Sequence, residues 1–231
     1  MRLCGKEKYA MQRQIITTSD GSHSLYVPAL NEHYHSIHGA IQESRHVFIE
    51  AGLKHALNDH SALSVFEVGF GTGLNALLTY LESERTGIKI DYTSVEAFPL
   101  EEAICRELNY AAEIGAGKQA FELLHSSSWE TQTTISENFS LLKLKTSLLD
   151  VVLKDDLYDL VYFDAFGPQV QPEMWTDEVF SKLAGAMKKG GVLVTYCAKG
   201  EVRRAMKRAG LVVEKIPGPP GKREMVWAVK G

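Results

Sequence analysis

The sequence is poor in cysteine, with three in 231 residues: Cys4, Cys105 and Cys197. They lie far apart and form no C-x-x-C pair, which excludes a disulfide framework and a zinc knuckle and points to a reduced, cytoplasmic protein. Long apolar runs are missing as well. The longest, near residues 192–198, stops well short of the ~18 residues of a membrane-spanning helix. The N-terminal stretch MRLCGKEKYAMQRQ has no apolar signal core, so neither export nor a membrane partner is expected. There is no internal repeat or low-complexity tract. With 45% hydrophobic and 23% charged residues the composition excludes disorder. A chain of this length holds one domain with room for an extension.

What is present begins with charge. The formal net charge of −4 hides a division. Residues 187–231 carry eleven Lys and Arg against three acids, a balance of +8, and the other 186 residues hold 14 bases against 26 acids, a balance of −12. Arg203, Arg204, Lys207 and Arg208 share helical spacing. Such a run is either a solvated amphipathic face or an anion-binding surface, and charge alone does not choose between them.

Residues 1–60 read as an irregular polar extension holding seven of the eight histidines, with one helix over 41–57. The pattern changes at residue 64. Short apolar runs over 64–68, 88–96, 139–145, 160–164 and 191–197 read as strands, alternating with helices over 74–84, 100–111, 176–187 and 201–209. This alternation implies an α/β fold with a mostly parallel sheet covered on both faces. Two late strands, 211–216 and 225–229, are joined by PGPPGKR and predict a hairpin adding an antiparallel edge. Residues 118–138 read as an insertion. The boundaries expected are an N-terminal extension over 1–60, covering the active site, and a domain over 61–231.

Between the first strand and helix of that domain stands Glu67-Val68-Gly69-Phe70-Gly71-Thr72-Gly73. Glycines at such a turn admit positive φ and expose amides at a helix start, where a ligand can approach the backbone. Glu96 ends the next strand, where a carboxylate can accept both hydroxyls of an adenosine ribose. The spacing is G-x-G-x-G rather than the G-x-G-x-x-G of dinucleotide folds, although spacing alone does not exclude NAD. It resembles the first motif of class I S-adenosylmethionine-dependent methyltransferases, in which the acid two residues before the first glycine helps hold the methionine end. That resemblance implies their seven-stranded Rossmann-like sheet with an antiparallel last strand.

Further motifs narrow the resemblance. Asp164-Ala165-Phe166-Gly167-Pro168, then Pro172-Glu173-Met174-Trp175-Thr176, is similar to the D-[AG]-F-x-P…P-x-[ML]-W-T signature of the methyltransferase domain of MnmC, which modifies tRNA wobble uridine. Glu43-Ser44-Arg45-His46-Val47-Phe48, Gly69 to Asn75, Val202-Arg203-Arg204 and Gly221-Lys222-Arg223-Glu224-Met225 resemble other blocks of that family, in order along nearly the whole chain. The resemblance implies methyl transfer from S-adenosylmethionine to the primary amine of 5-aminomethyl-2-thiouridine in the anticodon stem-loop of tRNA. Cofactor contacts then fall on Glu67, Gly69, Phe70, Gly71, Gly73, Glu96, Ala97, Ser147 and Asp164. Thr146-Ser147 replaces the family's Gly-Asp, which leaves Ser147 to meet the adenine amine. The best-known MnmC also carries a flavin-dependent oxidase domain. This chain is expected to act as a stand-alone methyltransferase on an aminomethyl group made by a separate upstream enzyme.

Asp164, at the end of a strand, is the expected catalytic carboxylate, acting as a base or as an anchor for the cofactor's amino group. Phe166 and Trp175 are expected to wall the uridine, and Tyr34 and Glu43 to line the mouth. Arg203, Arg204, Lys207, Arg208, Lys222 and Arg223 are expected to grip tRNA phosphates. His33, His35 and His38 have neither an accompanying cysteine nor a helical i, i+4 pair, so no metal site is read from them. The alternatives are a methyltransferase of the same fold acting on a small amine, and a non-catalytic adenosine-ligand or RNA-binding module.

Overall fold

The computed structural model describes residues 12–57 and 60–231, so Cys4 and most of the polar N-terminal stretch lie outside the described residues. The segment expected to be irregular contains a small antiparallel sheet of β1 (Gln14–Thr17), β2 (His23–Val27) and β3 (Glu32–His33). The helix expected over 41–57 begins as Ala40–Ser44, widens to a π-helix over Arg45–Leu53, and ends with Lys54–Ala56. Gly52 faces the main sheet, where a Cβ would come within 3.0 Å of Val194 and 3.2 Å of Tyr162. Glycine there lets the helix lie directly on the strands, and Phe48 packs on Tyr162 with ring centroids 5.1 Å apart. Val47, Phe48 and Leu53 share one hydrophobic cluster with Val65, Leu160 and Val194. The core therefore runs unbroken across residue 60.

The main sheet consists of β4 (Ala62–Val68), β5 (Lys89–Val95), β6 (Thr133–Thr134), β7 (Phe139–Leu144), β8 (Tyr158–Phe163), β9 (Met187–Thr195), β10 (Leu211–Pro217) and β11 (Glu224–Lys230). Their order is β10-β11-β9-β8-β4-β5-β7-β6. The five central strands are parallel, with Val65 opposite both Tyr92 and Leu160. All six residues of β8 are buried, as a strand covered on both faces requires. One face is covered by the N-terminal helix and by Leu74–Thr86, the other by Asp177–Ala186 and Gly200–Arg208. Thr176 caps Asp177–Ala186 as expected, its hydroxyl accepting the amide of Val179.

Three details differ from the sequence reading. The sheet has eight strands rather than seven, because the 118–138 insertion folds into a helix, Lys118–Ser126, and the short strand β6, which pairs antiparallel with β7. The antiparallel member of the late hairpin is not the edge strand. The chain crosses over to β10 first, and β11 returns into the gap, antiparallel to both β10 and β9. The helix expected over 100–111 is broken into Glu102–Glu107 and Tyr110–Ile114. At the break, Asn109 accepts the amide of His23 at 2.8 Å and donates to the carbonyl of Gly21 at 3.0 Å, so tertiary bonds to the small sheet replace helix continuity.

Candidate active site

The carboxyl ends of β9, β8, β4, β5 and β7 open together into one cavity of about 1070 Å³, the position at which open parallel sheets bind ligands. Its floor is the glycine turn after β4. Gly69, Gly71 and Gly73 have φ of 90°, 49° and 73°. A Cβ on Gly69 would sit 2.9 Å from the Asp164 carbonyl, and one on Gly73 2.8 Å from His125 Nε2. The turn is thus glycine both for its dihedral angles and for the space around it. His125 holds it from behind, its Nε2 bonded to the Thr72 carbonyl at 3.1 Å. Phe70 borders the cavity, but its ring is turned inward against His125.

Glu96 follows β5 at the cavity edge and accepts the amides of Gly71 (3.1 Å) and Phe98 (2.8 Å). Burial raises its carboxyl, and the two amides pull the other way. Ala97 and Ser147 also line this side, with the Ser147 hydroxyl accepting the Leu149 amide at 3.1 Å. Asp150, three residues beyond Ser147, joins the same wall.

Asp164 stands where β8 ends, its Oδ2 accepting Asn75 Nδ2 at 2.9 Å. Burial raises its carboxyl to about 7. The nearby Glu43 adds to the rise, while Asn75 and Lys222 oppose it. Above it lies a roof assembled from distant parts of the chain. Glu43, on the N-terminal helix, accepts the Ser36 amide and the Lys222 ammonium, both at 2.7 Å. Lys222, from the hairpin loop, also lies 3.9 Å above the Tyr196 ring. The Tyr196 hydroxyl donates to the Ala165 carbonyl at 2.8 Å. Tyr34 meets Phe166 edge-on at 5.2 Å and accepts Arg13 Nε at 3.0 Å, and burial lifts its hydroxyl to about 12.

Several expected site residues stand elsewhere. Glu67 is fully buried below the turn and does not border the cavity, because its strand position turns it into the sheet's interior. Trp175 is also core: its indole packs on Phe163 and Phe180, and its Nε1 donates to the Phe166 carbonyl at 2.8 Å. It therefore supports the Phe166 loop from behind rather than facing a base. Lys222 turns inward onto Glu43, away from any phosphate track. Arg208 is held by both carboxylate oxygens of Asp177, at 2.6 and 2.7 Å. Arg204, Lys207 and Arg223 are exposed and Arg203 is half-buried, all outside the cavity. The three clustered histidines diverge. His33 stacks on Tyr26, His35 bonds Thr72 Oγ1 at 2.8 Å, and His38 abuts Gly221. Asn75, Tyr196, Arg13 and Asp150 border the cavity without having stood out in the sequence. Asn75 lay inside the G-F-G-T-G-L-N block, which was the one available signal.

A family model described as S-adenosyl-L-methionine-dependent methyltransferase matches residues 117–231. The tRNA 5-methylaminomethyl-2-thiouridine biosynthesis bifunctional protein MnmC of Cupriavidus metallidurans is 31% identical over 228 residues, which is 92% of this chain and 33% of that protein. The chain belongs to the MnmC methyltransferase family. The MnmC of Nitrosospira multiformis is likewise 31% identical, over 87% of this chain and 34% of its own length. The chain thus spans about a third of the curated relatives it matches. Among solved structures, MnmC2 of Aquifex aeolicus superposes with a TM-score of 0.75 at 25% identity, covering 96% of this chain and 71% of that one. Spermidine synthase of Thermotoga maritima, at 11% identity and TM-score 0.57 over 95% of this chain and 69% of its own, shares the fold.

The cofactor of this family is S-adenosylmethionine, and the cavity fits it. The glycine turn leaves room at the backbone that side chains would fill, and carboxylates stand at both edges of that room, Glu96 on β5's side and Asp164 on β8's.

Proposed function

We propose that the protein methylates the primary amine of 5-aminomethyl-(2-thio)uridine at the tRNA wobble position. The observation that carries this reading is Asp164. Its carboxyl, lifted to about 7 by burial, opens onto the same cavity as the glycine turn and Glu96, beneath a roof that already seats one ammonium. When bound, S-adenosylmethionine supplies a methyl group on a positively charged sulfur, ready for in-line displacement. The chain's own residues do the rest. The amides of the glycine turn, Glu96, Ala97 and Ser147 seat the adenosine end, and Phe166 and Tyr34 flank the incoming base. An alkylamine is protonated near neutral pH and has no free lone pair. Asp164 orients the amine and takes its proton. With that proton gone, the nitrogen would present a free lone pair to the methyl group the cofactor would supply. Holding donor and acceptor in line supplies most of the acceleration.

In this reading residues 1–60 are the cover and 61–231 the methyltransferase domain. The exposed Arg204, Lys207 and Arg223 track phosphates beside the cavity, and a prior reaction by another enzyme supplies the aminomethyl group. The protein works in the cytoplasm, where its tRNA is. The test is incubation with methyl-labelled S-adenosylmethionine and tRNA from a strain lacking the modification, followed by digestion to nucleosides. Label on the wobble nucleoside supports the reading. Label that appears on a free amine without RNA, undiminished in high salt, places the substrate among small molecules instead.

A further inference from the structure

Beneath the floor of the cavity lies a carboxyl group that the reaction as written does not use. Glu67 has no exposed surface. Its Oε2 accepts the Ser94 hydroxyl at 2.8 Å, while its Oε1 has no hydrogen-bond partner among the described residues. Beside it, Asn75 Oδ1 and the Tyr92 hydroxyl are also without partners among the described residues. The side chains of Asn75 and Tyr92 both lie against the Glu67 carboxyl. Each buried polar atom left unbonded costs free energy. A single proton on Glu67 removes the conflict, because a carboxylic acid can donate to the asparagine oxygen that an ionised carboxylate can only repel.

We propose that Glu67 is a neutral carboxylic acid at the pH of catalysis, that it donates to Asn75 Oδ1, and that it thereby fixes the Asn75 amide with its nitrogen on Asp164. Glu67 is then a positioning residue acting through Asn75, not a ligand of the cofactor. The inference rests on the proposed methyl transfer, in which Asp164 takes the proton. The surroundings agree with it. Glu67 is faced by Ser94 and Tyr92 from β5, Asn75 from Leu74–Thr86, and Tyr162 and Asp164 from β8, and none of these is a cation. Burial, and then the charge of Asp164, push its carboxyl up to about 8, against the pull of the Ser94, Asn75 and Tyr92 side chains. Asp164 is in turn faced by Asn75, Glu67, Glu43, Lys222 and Tyr196. Of its hydrogen bonds, the one from Asn75 favours the ionised form needed to accept a proton.

Two variants of the full chain test this, E67Q and E67A. Glutamine keeps a donor for Asn75 and an acceptor for Ser94, so E67Q is expected to hold kcat within about threefold and leave the kcat–pH profile in place. E67A frees the Asn75 amide. Its kcat is expected to fall about 10- to 100-fold, the range for losing a hydrogen bond to a charged group, and the acidic limb of the profile moves to higher pH. Binding of S-adenosylhomocysteine, followed by calorimetry, stays within about twofold for E67Q. In an infrared difference spectrum, wild type minus E67Q shows a protonated-carboxyl band at neutral pH. Absence of that band, or a tenfold loss of S-adenosylhomocysteine affinity in E67Q, overturns the inference, because each indicates an ionised carboxylate. An E67A profile that does not move also overturns it. The spectrum and the calorimetry need no RNA, so they decide the state of Glu67 even if the tRNA reading fails, and they stand on E67Q alone should E67A not fold.

Discussion

The floor and the roof of the cavity are built by opposite strategies. The floor is local: Gly69 to Asn75 follows β4 directly, and Glu96 ends the next strand and bonds back to the Gly71 amide. The roof is remote: Glu43 and Lys222 are 179 residues apart, and Tyr34 and Arg13 come from before the first strand of the main sheet. A local turn is fixed by backbone dihedrals and varies little. A remote roof needs chain segments brought together by the finished fold. The floor suits a constant cofactor and the roof a specific acceptor. Asp164 lies between the two, bonded from below by Asn75 and influenced from above by Glu43 and Lys222.

That contrast predicts a ladder of effects. The largest is at the shared group. Asp164→Ala should lower kcat by about 10²- to 10⁴-fold, the usual worth of a positioned base, with S-adenosylhomocysteine affinity changed far less. A matching loss of affinity would assign Asp164 to the floor alone. Next comes Gly69→Ala, which puts a Cβ at positive φ and 2.9 Å from the Asp164 carbonyl. Strain of this kind costs about 1–3 kcal/mol, so cofactor affinity measured by calorimetry should fall about 5- to 150-fold. Equal tRNA and cofactor losses would blur the division between floor and roof.

Stability against pH gives the third rung. Glu67 releases its proton near its ordinary 4.5 when unfolded but near 8 when folded. The folded state therefore holds more protons between those values. The stabilisation is complete below about 4.5 and is lost as pH rises through about 8, at up to about 1.4 kcal/mol per pH unit. Denaturant titrations should show that slope in the wild type and a flatter one in Glu67→Gln. On the roof, Lys222→Ala leaves Glu43 buried without its cation. It should raise the KM for tRNA several-fold while leaving cofactor affinity unchanged, because the buried Glu43 and its partner belong to the roof and not to the glycine floor. The smallest effects belong outside. Alanine substitution at Arg204, Lys207 or Arg223 should each lower the salt dependence of tRNA binding by about one counterion. Arg208, already committed to Asp177, should matter least.

The same division explains what could be read from sequence. The strand–turn–helix floor, the capping Thr176 and the end-of-strand acids Glu96 and Asp164 depend on neighbours in sequence, and they stand where periodicity put them. In sequence Lys222 reads as one more base of the positively charged C-terminal segment. Only the folded hairpin reveals that it turns onto Glu43 and Tyr196. Trp175 failed for the complementary reason. An aromatic residue near an active-site strand looks the same in sequence whether it faces the ligand or, as here, packs on Phe163 and Phe180 behind it. The break at Asn109 and the placement of β11 inside the sheet likewise arise from tertiary partners that no local pattern encodes.

The central claim is that Asp164, held from the floor and tuned from the roof, takes the proton of the acceptor amine. The most direct measurement is the single-turnover rate of labelled methyl transfer to tRNA lacking the modification, as a function of pH, for wild type and Asp164→Asn, with S-adenosylhomocysteine affinity followed in parallel. The account predicts a wild-type rate that climbs as pH rises through about 7, a flat affinity over the same range, and loss of both the rate and its pH dependence in the variant. A wild-type rate that stays level through that range, or an Asp164→Asn protein that methylates as fast as the wild type, would contradict it.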